Sequence, residues 1–330
     1  MKKLLLATSA LVVASVGVAS AQGVALSGSA EAGIVGGDRD NEDAFEGVDT
    51  DEINFFNDVD VRFTLSGSTD NGLTFGTNID LDEAGSIGNE ADDADFAIFI
   101  SGDFGTVTLG DTDGALDRVM QDAATAGNPG SITDDETVHA GYLGSFGDGS
   151  NGDNQILRYD YTFNQFLFSV SVEQNADAAT GVLDATDTGD TNYAIGIRYA
   201  ETFGSVDVTA GLGYQVASFA ATDQTIIGIS VLAELDNGFS GVIGYTDWED
   251  VGGVAGTDDD HTYIGLGYSI DAFSFHANYG EFDSGNSGFG FAAAYDLGGG
   301  ASIHLGYGSS DRAGTINDND FWSLGVAMSF

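Results

Sequence analysis

Three arginines and one carboxylate-rich stretch are the residues of this chain best suited to act on a charged solute. Arg62, Arg158 and Arg198 each sit inside a run of alternating apolar and polar residues. Asp111, Asp113, Asp117, Asp122, Asp134, Asp135 and Glu136 fall in one stretch, 111–154, that lacks such alternation. Its densest run is Asp134-Asp135-Glu136. The only proline precedes that run in Asn128-Pro129-Gly130, a strong turn signal. A guanidinium stays charged at any working pH and holds a planar fork of donors. Set across a narrow opening from carboxylates, it makes a permanent transverse field, which is the chemistry of a filter.

Reaction chemistry is poorly supplied by comparison. The histidines, His139, His261, His276 and His304, show no His-x-x-x-His spacing, and solvated or wall positions account for them. No strand carries a recognisable nucleophile motif, so the chain is read as no enzyme. With no cysteine, disulfides and thiolate metal sites are excluded. No cofactor is required. Asp258, Asp259 and Asp260 offer oxygen ligands for Ca²⁺, a secondary expectation against the plainer reading of a solvated acidic loop.

The elements that must position the arginines are strands. Stepping back by twos from the terminal Phe330 gives Met328, Val326, Leu324 and Trp322, separated by small or polar residues. Period-2 alternation marks a strand with two different environments. The same rhythm recurs in Val59, Val61, Phe63, Leu65; in Leu157, Tyr159, Tyr161, Phe163; and in Tyr193, Ile195, Ile197, Tyr199. Arg62, Arg158 and Arg198 have the opposite parity, so all three turn to the polar face. Tyr and Phe gather near strand ends, as interfacial girdles do. Connections alternate between short (Asn164-Gln165, Asp236-Asn237-Gly238, Asp271-Ala272) and long (37–52, 111–154, 175–191). These features predict an all-β transmembrane antiparallel barrel of about sixteen strands, with both termini at the short-turn rim. A barrel of that size leaves an aqueous channel.

Residues 1–21 read as a cleaved secretory signal: Lys2-Lys3, an apolar stretch from Leu4, and the small-x-small site Ala19-Ser20-Ala21. Residues 22–330 then form one barrel domain. Without Lys2 and Lys3, every remaining basic residue is an arginine, against 53 acidic residues. Nucleic acid is thereby excluded as a partner. The carboxylate excess predicts a preference for cations.

Several segments carry a family resemblance. Ser66 to Gly76, Ile100-Ser101-Gly102-Asp103-Phe104-Gly105 with Val107 to Asp111, Arg158-Tyr159-Asp160-Tyr161 and the terminal strand resemble Gram-negative general diffusion porins. The resemblance spans essentially the whole mature chain. It implies a homotrimer of sixteen-stranded barrels in the cell outer membrane, reached through the periplasm, in contact with lipid bilayer and lipopolysaccharide. It implies that 111–154 folds into the lumen as a constriction loop, and that Phe330 is recognised by the barrel assembly machinery. On this reading Arg62, Arg158 and Arg198 face the acidic loop across an eyelet. A competing reading has them neutralise wall carboxylates such as Asp58, Asp60, Asp160 and Asp207. A substrate-selective porin of the same fold would need an aromatic track in the lumen, where few aromatics fall. A secreted Ca²⁺-binding adhesin would show Gly-Gly-x-Gly-x-Asp repeats, which the chain lacks.

Overall fold

A computed structural model describes residues 23–37, 53–83, 93–146, 155–174, 191–219, 221–314 and 319–330. The signal segment 1–21 and residues 147–154 of the long connection lie outside them. The described chain forms sixteen antiparallel strands, each paired with its sequence neighbour, and β1 (Gly23–Gly37) pairs with β16 (Asn319–Ser329) to close a barrel. Closure matters because no water in a bilayer core can satisfy a free strand edge. The seam runs to the last residue: Phe330 N–H donates to Gly28 O at 2.9 Å.

The remaining strands are β2 (Asn54–Ser68), β3 (Thr74–Glu83), β4 (Asp93–Gly102), β5 (Gly105–Gly110), β6 (Gln155–Phe163), β7 (Phe166–Gln174), β8 (Thr191–Phe203) and β9 (Val206–Ala217). They continue with β10 (Gln224–Leu235), β11 (Phe239–Glu249), β12 (Asp259–Ile270), β13 (Phe273–Phe282), β14 (Ser287–Gly298) and β15 (Ala301–Asp311). Even-to-odd turns are tight. Asn164 and Asp271 open two of them at φ 53° and 52°, a left-handed geometry that Asn and Asp tolerate. Both termini share that rim, since Gly23 pairs with Ser66 and Met328 with Ala301.

The predicted parity is observed. Ile195, Leu212, Ile229, Ile243 and Leu266 point outward and are exposed, as an apolar belt facing lipid must be. Phe163, Phe203, Phe239 and Phe273 ring the short-turn rim, while Tyr193, Tyr214, Tyr245, Tyr279 and Tyr307 ring the other. Cross-strand aromatic pairs such as Phe239–Tyr268 (centroids 4.2 Å apart) tie neighbouring strands within the first girdle. Among the described residues, no helix is long and apolar enough to cross a membrane.

This outward belt generates a first prediction. Ile229→Arg, in mid-strand on the lipid face, is expected to destabilise the barrel by roughly 2–4 kcal/mol. Urea unfolding in lipid vesicles measures it, and an unchanged midpoint would place Ile229 away from the hydrocarbon.

Candidate functional site

The interior is not simply a polar tube. After β5 the chain turns inward, and residues 111–146 lie along the lumenal wall. The short helix α1 (Ala115–Val119) packs on β7, β8 and β9. A 3-10 turn at Ala123–Thr125 follows along β11–β13, and a second at Asp135–Thr137 along β14–β16. Ile132 closes the path against β1, beside Val35 and Phe56.

An irregular segment has backbone groups that secondary structure leaves unpaired, and the wall supplies partners for them. Ala115 N–H donates to Ser171 Oγ at 2.8 Å and Gln121 N–H to Ser230 Oγ at 2.9 Å. Tyr263 OH donates to Gln121 O at 2.6 Å. His276 Nδ1 bonds Ala126 O at 2.8 Å, His304 Nδ1 bonds Gly130 O at 2.9 Å, and Asn278 Nδ2 donates to Thr137 O at 2.8 Å. Farther on, His261 Nε2 bonds Gly141 O at 2.8 Å and Ala140 N–H donates to Ser310 Oγ at 2.9 Å. Wall serines, histidines, Tyr263 and Asn278 thus hold the loop from β7 to β15.

Close approach needs bare backbone on the wall. A Cβ on Gly265 would lie 1.9 Å from Ala123 O, one on Gly267 2.2 Å from Ala126 O, and one on Gly290 2.2 Å from Glu136 O. Between these contacts the loop buries apolar side chains: Leu116, Val119, Met120, Ile132 and Phe146 are all buried, several against Ile226, Leu232, Val242 and Tyr263 of the wall. Removing such side chains from water is worth about 1.5–3 kcal/mol each. A hydrophobic core therefore sits inside the lumen, between loop and wall.

The structure sorts the expected site residues. Arg158 and Arg198 do meet the loop. Arg158, on β6, bonds Thr112 Oγ1 at 3.0 Å and Asp113 O, lies 3.8 Å from the Asp113 carboxylate, and is held at 3.0 Å by its wall neighbour Asp160. Arg198 reaches Arg118 O at 3.4 Å. Among the described residues, Arg62 does not meet it. Its guanidinium pairs with Asp80 on β3, directly across the strand register, which is the neutralising role of the competing reading. Sequence reasoning missed Arg118, which sits on α1 with Nε 3.5 Å from Asp160. No strand parity applies to a short helix, so nothing in the pattern singled it out. The wall glycines left a readable trace: Gly196, Gly213, Gly228, Gly265, Gly290 and Gly308 all fall on the lumenal phase.

The loop carboxylates divide likewise. Asp111, Asp113 and Asp134 are exposed to the lumen, and Asp117, Asp122 and Asp135 are half-buried. Asp122 accepts from Thr125 Oγ1 at 2.9 Å, a local brace. Glu136 is fully buried, accepting from Thr133 Oγ1 at 2.7 Å and from Ser131 Oγ, so it anchors the loop and is withheld from the opening. All four histidines touch the loop or belong to it. Asp258 and Asp259 accept backbone N–H groups of Asp250 and Ser284, at 3.4 and 2.9 Å, and Asp260 sits in register with Asp247. Among the described residues, no group of three or more His, Asp or Glu is arranged to hold a metal ion.

Away from the loop, the arc β1–β4 carries rows of acidic positions on its lumenal phase. Glu31 pairs with Asp58, Asp60 with Asp82, Asp82 with Asp93, and Asp80 with Asp95. Like charges in direct register repel, as at Glu31 and Asp58, while the Ser29–Asp60 and Arg62–Asp80 bonds tie β1 to β2 and β2 to β3.

Comparison with known proteins agrees with this architecture. A family model described as Gram-negative porin matches residues 7–315. A porin from Rhodobacter capsulatus is 29% identical over 308 residues, covering 85% of this chain and 95% of that protein. A solved porin structure refined at 1.8 Å superposes with a TM-score of 0.67 at 25% identity, covering 93% of this chain and 100% of the other. A mutant of the Rh. blastica porin superposes with a TM-score of 0.64 at 15% identity over the same shares, a likeness of fold alone. The chain belongs to the Gram-negative porin family. It is an outer-membrane channel protein, and family and fold point away from an enzyme.

Loop docking is open to test. Gly265→Val is expected to push the loop off β12 and into the lumen, lowering single-channel conductance, because overpacking by more than ~1 kcal/mol is relieved most easily by moving the loop. Gly241→Val has no such contact, its Cβ position lying 3.4 Å from the nearest atom, Leu266 Cδ2. Planar-bilayer recordings of both variants decide: equal conductances would mean the wall glycines do not seat the loop.

Proposed function

We propose that this porin passes small hydrophilic solutes and ions by passive diffusion, with a preference for cations, through the space between the docked loop and the arc β1–β4. The observation that carries this reading is the acidic register of that arc, with Arg62 committed to Asp80. Arg118 and Arg158 share Asp160, and Arg158 also lies 3.8 Å from the Asp113 carboxylate, so the positive charge of this cluster is partly offset and held at the loop's seat. The loop adds exposed carboxylates at Asp111, Asp113 and Asp134. A formal charge of −45 for the whole chain acts in the same direction. Rings of carboxylate raise the local cation concentration and repel anions, more strongly at low salt.

The eyelet is then built differently from three arginines facing an acidic loop. Arg158 and Arg198 lie under the loop as part of its seat, and carboxylates face the passage from both sides. An aromatic slide for a specific solute finds less support, because Tyr263, Phe146 and Phe321 are buried. We place the assembled protein in the outer membrane as a homotrimer, exported through the periplasm, inserted by the barrel assembly machinery through the strand ending in Phe330, and bordered by lipopolysaccharide. The exposed Phe330 side chain (78% accessible) is available for such recognition.

Reversal potentials across a KCl gradient test the selectivity. The native channel is expected to favour K⁺, and Asp60→Asn with Asp111→Asn is expected to lower the cation-to-anion permeability ratio about two-fold, the scale of screened charges in water. Anion preference in the native channel would overturn the reading.

A further inference from the structure

Every histidine of the chain contacts the loop or lies within it, and two of them grip the same residue. Gly141 N–H donates to His139 Nδ1 at 3.1 Å, while Gly141 O accepts from His261 Nε2 at 2.8 Å. That residue is pressed onto β13, where a Cβ on Gly141 would lie 1.9 Å from Gly280 O. It begins the return limb of the loop, Tyr142–Phe146, whose Phe146 ring packs 6.1 Å from Tyr263. We infer that His139 and His261 are positioning residues for the constriction, and that their clamp on Gly141 opens when His139 takes up a proton.

The hydrogen-bond roles require it. His139 Nδ1 accepts, so it carries no proton. His261 donates through Nε2, which leaves Nδ1 bare in the neutral ring. Both rings are buried, at 3% and 0% exposure, and among the described residues His261 Nδ1 has no hydrogen-bond partner. Protonating His139 at Nδ1 removes the acceptor from Gly141 N–H. Protonating His261 at Nδ1 leaves its Nε2–H bond to Gly141 O in place but creates a buried donor with no partner among the described residues, which is costly. The two rings also lie within electrostatic reach of each other, so the second charge is opposed by the first. His261 stacks on Phe282 (4.2 Å) and Tyr263 (5.3 Å), neither of which solvates a cation as water does.

The charged and titratable neighbours are Asp259 on β12, near His261, and Asp122 of the loop, near Tyr142 and Tyr263; the β13 and β14 faces toward His139 offer Asn278 and Gly288. Burial holds His139 down from 6.5 to about 4. A base whose folded value lies below its free value stabilises docking above the free value. That contribution is lost as pH falls from 6.5 towards about 4. A released return limb projects from the wall into the passage, so acidification closes the channel.

The inference rests on the channel reading, and its test separates the two. The full chain is recorded in planar bilayers at fixed salt from pH 7.5 to 4.5. Open channels at pH 7.5 report the channel itself; the closing rate on acidification reports the clamp. We expect closures to become at least roughly ten-fold more frequent by pH 4.5, since that pH lies about two units into the window that opens at 6.5. In His139→Asn/His261→Gln the Asn oxygen at 139, at the Nδ1 position, accepts, the Gln N–H at 261 donates, and neither titrates. That variant is expected to keep the high-pH conductance and lose the acid response. A native channel indifferent to pH, or a double variant with the native pH profile, overturns the proposal. Hydrogen exchange on the native protein serves as a second measurement should the variant fail to insert. Peptides covering 138–146 should lose protection at pH 5 while those covering 115–126 keep it; equal protection in both would also overturn the clamp.

Discussion

Backbone polar groups must be satisfied, and that requirement shapes this protein twice. In the bilayer it forces the strands to close on one another, down to the bond between Phe330 and Gly28. In the lumen it falls on a segment with almost no regular structure, and the wall answers with Ser171, Ser230, Tyr263, His276, Asn278, His304 and Ser310. Each such bond nets only about 1 kcal/mol, but an unpaired buried carbonyl or N–H costs more than that. The constriction is thereby a second layer of structure docked inside the first.

Docking also explains how charge is allocated. The chain has few cations, and most of the described ones hold structure together: Arg62 across β2 and β3, Arg158 and Arg118 around Asp160, Arg198 beneath the helix α1. Arg158 leaves 9% of its side chain exposed, against 59% for Arg62. Among the described arginines, the one most open to the lumen is thus the one already paired on the wall. What remains free to meet a passing ion is carboxylate, carried on the opposite arc and on exposed loop positions.

Much of this was legible before any coordinates. Alternation from Trp322 to Phe330 and its repeats marked the lipid face, and its parity sent Arg62, Arg158 and Arg198 inward, where they are. Turn spacing placed both termini at the tight-turn rim. Parity could not say which arginine the loop would reach, because that depends on the loop's path around the lumen. Contact with β7–β16 brings it to Arg158 and Arg198 and leaves Arg62 to Asp80. The glycines on the lumenal phase were visible as a pattern, but their purpose was not, since a missing side chain does not name the backbone that fills its space.

By itself, the sequence determined the barrel, the membrane-facing surface, the side of each strand residue and the acidic balance. These follow from a two-residue period and from composition, both local properties of the chain. The tertiary structure alone decided that Glu136 anchors, that Arg118 joins the charged cluster, and that His139 and His261 grip one residue. Those outcomes join residues up to 122 positions apart in sequence, as in His139 with His261. Only the docked path of residues 111–146 brings such partners within reach, and no periodicity encodes that path.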